Sequence, residues 1–200
     1  MIASLTGRLL EDDADGLVVE VGGIGLRVYA SAAASRLARE QPQAVKLQTH
    51  LVVREDALTL YGFASQRERG LFVALLGVSG LGPAKALALL SGYPVDTLQR
   101  GIVTGDLALL ASVSGIGKRT AERIVVELRD KLGAAALESV AAGDGATAPA
   151  SDDPHLQARD ALVALGFAVA EAETALAGAE GSTEQRVKEG LAALRRGGKP

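Results

Sequence analysis

The sequence predicts an α+β chain in which a small closed β-barrel precedes short helices and a separate three-helix mini-domain. Three observations carry that expectation. Residues 1–64 hold β-branched or alternating runs divided by turn residues. From Ser65 onward, apolar residues recur at helical spacing between glycines and prolines. A stretch without large apolar residues then sets residues 152–200 apart from the rest.

The runs LTGRLL, GLVVEV, GLRVYA, AVKLQTHLVV and ALTLYGF read as five strands, punctuated by Asp15-Gly16 and Gly22-Gly23. So many strands in so short a segment predict closure, because an open sheet of that size leaves its edges unpaired. Within residues 65–142, SQRERGLFVALLG, PAKALALLSG, PVDTLQRGI, TGDLALLASV and KRTAERIVVELRDKLG read as helices, with Pro83 and Pro94 suited to open two of them. No large apolar residue follows Val140 until Leu156. Residues 143–151 are therefore expected to form a flexible linker that cannot offset its ordering entropy. Asp153 can cap a helix that starts at Pro154 and ends at Gly166. A second helix is expected over about residues 168–179. Ser182 and Gln185 form a capping box for a third, with Val187, Leu191 and Leu194 as its apolar stripe.

Composition narrows the function classes. The chain is 48% apolar, enough for packed cores, and contains no cysteine, so disulfides and thiolate chemistry are absent. No apolar run is long enough to span a bilayer, and MIASLTGRLLEDD turns acidic too early for a signal peptide, so a cytoplasmic location is expected. The net charge of −3 is unevenly distributed. Residues 1–64 carry six basic and eight acidic side chains, residues 65–133 carry nine and six, and residues 134–200 carry six and ten. The one basic segment is the one with a repeated motif.

That motif is VSGLG at Val78–Gly82 and VSGIG at Val113–Gly117, each opening onto a helix. A Gly-x-Gly elbow permits positive φ and leaves no Cβ over the backbone. Amides of the turn and of the next helix's first turn then face outward at the positive end of the helix dipole, a seat for phosphate. The candidate DNA-binding residues are Gly80, Leu81, Gly82 and Lys85 in the first copy, and Gly115, Ile116, Gly117, Lys118, Arg119 and Arg123 in the second. Ala121, Ile124, Val125 and Leu128 mark the opposite, apolar face of the second helix. The plainer reading is a tight helix–helix turn. It leaves the shared Val-Ser flank and the basic setting unexplained. A P-loop is excluded, because Ser112 and Arg119 stand where glycine and a hydroxyl belong. A dinucleotide fingerprint is excluded by Lys85 in place of its third glycine.

No catalytic or metal-ligating constellation is legible, and no cofactor is expected. His50 and His155 fall in different predicted domains without ligand spacing. An enzyme of DNA repair using the elbows as an anchor is the competing reading. A glycosylase would need an aromatic-lined pocket for an extruded base, and aromatic residues make up 3% of the chain. A purely structural interaction protein would leave Lys118, Arg119 and Arg123 idle.

The paired elbows resemble the tandem helix-hairpin-helix module of DNA-binding proteins, and the barrel resembles an OB-fold. The stretches EVGGIGLRVYA, THLVVREDALTLYGF, GLGPAKALALLSG and SGIGKRTAERIVVELRDKL extend the likeness to nearly the whole chain, which resembles the RuvA family of Holliday-junction-binding subunits. That resemblance implies an OB-like barrel over 1–64, a tandem helix-hairpin-helix domain over 65–142, the linker at 143–151 and a UBA-like three-helix domain over 152–200. It implies that Glu55 and Asp56, beside Arg54, form an acidic pin directed at the centre of a four-way DNA junction. It also implies a homotetramer, or an octamer of two tetramers, the hexameric ATPase RuvB as partner of residues 152–200, and the resolvase RuvC as a further partner. The family often has lysine directly after the Gly-Pro of the first elbow. Here that position is Ala84 and the cation is Lys85, about 100° further round the helix. Tyr29, Tyr61 and Phe63, the barrel's rings, are expected to pack its core rather than stack on bases.

Overall fold

A computed structural model describes residues 2–13, 16–141 and 153–197, and it divides into two compact units, Met1–Val95 and Asp96–Pro200. The linker expected at 143–151 lies outside the described residues, as does Asp15.

All five expected strands form: β1 (Ser4–Asp13), β2 (Gly16–Val21), β3 (Ile24–Ala30), β4 (Val45–Val53) and β5 (Leu58–Phe63). They close in the order β1-β2-β3-β5-β4. Four of the pairings are antiparallel. The fifth is a short parallel contact in which Tyr29 faces Tyr61 and Ala30 faces Gly62. Inward positions hold Leu5, Leu17, Val19, Val28, Val45, Leu47 and Leu60, all buried. Closure leaves no strand without a partner on either side, which suits so small a sheet.

One element was not anticipated from the sequence. Helix α1 (Ala32–Glu40) leaves β3 at Ser31, whose hydroxyl accepts from the Ala34 amide, and it buries Ala34 and Ala38 against the barrel. Leu37 packs beside them, and at nine residues between two strand runs the helix spans too few turns to stand out in the sequence.

Helix α2 (Gln66–Leu76) is tied to the barrel at several points. The Ser65 hydroxyl accepts from the Glu68 amide, while the buried Glu68 carboxylate accepts from the Ala64 amide at 2.8 Å. This reciprocal box satisfies helix-end donors just where the strand ends. Arg69 donates to the Thr49 carbonyl of β4 at 2.7 Å. Phe72 is fully buried, with ring centroids 4.7 Å from Phe63, 5.1 Å from Tyr61 and 5.8 Å from His50. Helix α3 (Pro83–Gly92) packs on α2.

The second unit begins within α4 (Val95–Thr104) and continues with α5 (Leu107–Ala111), α6 (Lys118–Ala141), α7 (Pro154–Ala164), α8 (Val169–Leu176) and α9 (Thr183–Gly197). The expected caps are present. Asp153 accepts from the His155 amide with Pro154 opening α7, and Ser182 and Gln185 bond reciprocally at the start of α9. Helix α6 runs beyond Gly133, since the following Ala-Ala-Ala-Leu-Glu favours continuation. Val187 is buried and Leu191 and Leu194 half-buried, as the expected stripe requires.

Candidate nucleic-acid interface

Both elbows adopt the same local backbone. Gly80 has φ +82° and Gly115 φ +83°, values an L side chain adopts only with strain, so glycine is required at each. The Leu81 amide donates to the Val78 carbonyl at 3.1 Å, and the Ile116 amide donates to the Val113 carbonyl at 3.0 Å. Leu81 and Ile116 are each 4% exposed. The amides and side chains of these two residues are thus engaged within the chain. Their buried side chains anchor the elbow to the core. An amide that closes the turn cannot also face outward.

The donors that do face outward lie on either side of each anchor. Gly80, Gly82, Gly115 and Gly117 are exposed, and among the described residues their amides have no hydrogen-bond partner in the chain. Gly82 caps α3 without a side-chain acceptor, so the first-turn amides of Ala84 and Lys85 stay open. Gly117 likewise has no side chain to cap α6, and its carbonyl accepts from Ala121. Each elbow therefore aims several N–H groups and the positive end of a helix dipole in one direction.

The side chains differ between the copies. Lys118 and Arg119 are exposed on the first turn of α6, and among the described residues neither has an intrachain partner. Arg123 is exposed one turn later but has an interaction within the chain. Across the helix, Ala121, Ile124, Val125 and Leu128 are buried, as the periodicity predicts. In the first elbow, Lys85 is half-buried and falls 35 residues before the half-buried Thr120, whereas exposed Ala84 corresponds to Arg119. The second elbow is the more cationic seat. Several barrel cations are neutralised within the chain: Arg8 by Glu20 at 2.8 Å, Arg27 by Asp13 at 3.2 Å, and Arg39 by Asp12.

Glu55 and Asp56 form the two-residue tip of the β4–β5 hairpin, closed by the Arg54 amide donating to the Ala57 carbonyl at 2.9 Å. Arg54, Glu55 and Asp56 are all exposed, and Val53 (67% exposed) and Leu58 (73%) pair just behind them. Burial raises the pKa of the Tyr61 hydroxyl, and the nearby charge of Arg54 acts in the opposite sense. Of the barrel rings, Phe63 is buried as expected, whereas Tyr29 stands partly clear at 41% exposure with its centroid 5.9 Å from Tyr61.

Among the described residues no group of three His, Asp or Glu side chains is placed to hold a metal ion, and no helix is long and apolar enough to cross a membrane. Sequence reasoning missed the engaged amides of Leu81 and Ile116. The only available signal was the apolar character of the central residue in both copies.

A family model of the RuvA N-terminal domain matches residues 1–62, and one of a SAM-like helix-hairpin-helix tandem matches residues 72–130. The Holliday junction branch migration complex subunit RuvA of Chloroflexus aurantiacus is 44% identical over 191 residues, covering 96% of this chain and 95% of the relative. The chain belongs to the RuvA family. Proteins of the same description from Mycobacterium ulcerans (44% identical, 97% and 98% covered) and Symbiobacterium thermophilum (43%, 98% and 100%) extend the match to the full length of RuvA. The RuvA N-terminal model ends where the barrel closes at Gly62, and the tandem model spans both elbows.

Proposed function

We propose that this chain recognises four-way DNA junctions by structure rather than sequence and serves as the DNA-binding subunit of a branch-migration complex. The observation that carries this is the second elbow, where open amides at Gly115 and Gly117 adjoin Lys118 and Arg119, cations unpaired among the described residues. Contacts of that kind engage phosphate and carry no base information. Binding is therefore sequence-neutral and falls steeply with salt. Gly80, Gly82 and Lys85 act as a second, weaker seat.

The acidic tip supplies selectivity. In a homotetramer, or an octamer of two tetramers, copies of Glu55 and Asp56 gather where the four DNA arms meet. Each carboxylate–phosphate pair at ~4 Å repels by ~1 kcal/mol in bulk water and by more where water is excluded. Continuous duplex is penalised there, while strands that part at a crossover avoid the charge. In this reading residues 1–64 carry the pin and the assembly surface, and 65–142 grip DNA. The linker at 143–151 tethers residues 152–200, which bind the hexameric ATPase RuvB, and RuvC can share the platform. The chain itself performs no chemical step, and ATP hydrolysis belongs to the partner.

The test is a gel-shift comparison of a synthetic four-way junction with linear duplex of the same sequence at two salt concentrations. The expected result is tighter binding of the junction at both salts, with both affinities reduced at the higher one. Equal or greater affinity for linear duplex overturns the proposal.

A further inference from the structure

The β4–β5 hairpin outruns the rest of the barrel. Among the described residues, β1 pairs with β4 only from Val45 to Gln48, and β3 pairs with β5 only at Tyr61 and Gly62. Past these contacts the two strands have only each other, from Leu51 opposite Leu60 to Val53 opposite Leu58. Along this ribbon the apolar alternation that lines the barrel continues one step beyond it. Alternate pairs share a face, so Val53 and Leu58 stand on the face of Leu51 and Leu60. Leu60 is buried in the barrel core and Leu51 packs against that core, whereas Val53 and Leu58 are 67% and 73% exposed. Single exposed aliphatic residues are ordinary. Two that directly oppose each other at the root of a projecting tip form a small apolar ledge.

The neighbours of that ledge decide what can cover it. Glu55 and Asp56 lie immediately beyond, both exposed and, among the described residues, without a cationic partner. A DNA strand that approaches the hairpin meets carboxylates that repel its phosphates. The uncharged part of a nucleotide, and so the part that can lie against Val53 and Leu58, is the base. Continuous duplex presents only base edges, in its grooves. Where strands exchange, base faces come free.

We infer that Val53 and Leu58 form an apolar ledge that takes up bases unstacked at the crossover of a four-way junction. The inference rests on the proposed place of the acidic tip at the junction centre. Aliphatic side chains serve in this way at kinked DNA steps, where they lean on bases parted from their neighbours. Tip and ledge then act in the same sense. The carboxylates penalise backbone at the hub, and the ledge favours bases that have left the stack. Neither Val53 nor Leu58 carries a side-chain hydrogen-bonding group, so the ledge distinguishes opened from paired DNA without reading base identity.

The test uses the full-length chain and a synthetic four-way junction carrying, at the crossover, a fluorescent adenine analogue that stacking quenches. At saturating protein its emission should rise on binding, while the same analogue placed mid-arm should stay quenched. The double change Val53→Thr, Leu58→Thr supplies β-branched residues suited to a strand and leaves the charge unaltered. That variant should bind the junction with the same salt slope but lose most of the emission rise, whereas Leu58→Met should keep it. A rise of equal size in the double variant overturns the inference. Sedimentation of the DNA-free proteins reads the competing occupant. A smaller assembly in the double variant would mean that a second copy of this chain covers the ledge, which also overturns it. Loss of junction preference in the unchanged protein removes the underlying reading and this inference together, whereas a retained preference with no emission rise removes this inference alone.

Discussion

Lys118 and Arg119 are open to a polyanion because no carboxylate in the described chain claims them, in contrast to Arg8, Arg27 and Arg39 of the barrel. Each phosphate contact releases about one counterion, so the double change Lys118→Ala, Arg119→Ala should reduce the slope of log affinity against log salt by about 1 to 2. Fluorescence anisotropy on a labelled junction over a salt series measures it, and an unchanged slope would remove both residues from the contact. The aromatic cluster makes a separate prediction about pH. Burial lowers the pKa of His50, with the Arg69 charge acting in the same direction. The unfolded chain then binds the proton more readily, so the contribution of neutral His50 is complete above its ordinary value near 6.5 and is lost as pH falls below it. Urea unfolding between pH 8 and 5 should show a loss of stability that is smaller in His50→Gln. An identical pH dependence in the two proteins would contradict this. At this scale sequence reasoning located the elbows and their cations but not the division of labour within them. That a leucine and an isoleucine amide close the turn follows from hydrogen bonding between residues three apart, which composition does not encode.

The β4–β5 hairpin is the element to which the proposed function assigns junction selectivity. Replacing Glu55 and Asp56 with lysine keeps an exposed two-residue tip and reverses its charge. Duplex affinity should rise relative to junction affinity in paired binding titrations, and a constant ratio would mean that the tip plays no part in discrimination. Elements with a strong periodic signal or an explicit cap were legible in advance: five strands, the Pro154 and Ser182 helix starts, and the apolar face of α6. Helix α1 was not, because its packed face of Ala34, Leu37 and Ala38 spans only nine residues between two strand runs. The parallel contact of β3 with β5 was also invisible, since it joins residues 32 apart through only two facing pairs. The expected helical segment KRTAERIVVELRDKLG ended at Gly133, yet the residues that follow are strong helix formers and α6 continues to Ala141.

Over the whole molecule, the two elbows belong to different compact units, the first with the barrel and the second with α4–α9. Removing residues 143–200 eliminates α7–α9 and retains both elbows and the acidic tip. The truncated protein should bind a four-way junction as the full chain does but fail to support branch migration with its motor. Gel shift and a strand-exchange assay separate the two outcomes, and a truncated chain that cannot bind would refute the split. Within the first unit, α2 is wedged into the barrel wall by Phe72, Arg69 and Glu68. Phe72→Ala should cost about 3–5 kcal/mol in chemical denaturation, as for other large buried aromatic rings. That wedge makes the Gly80 elbow and the Glu55–Asp56 spike parts of one casting. On the proposed reading the span between them acts as a fixed caliper, and the arms of the DNA must conform to it.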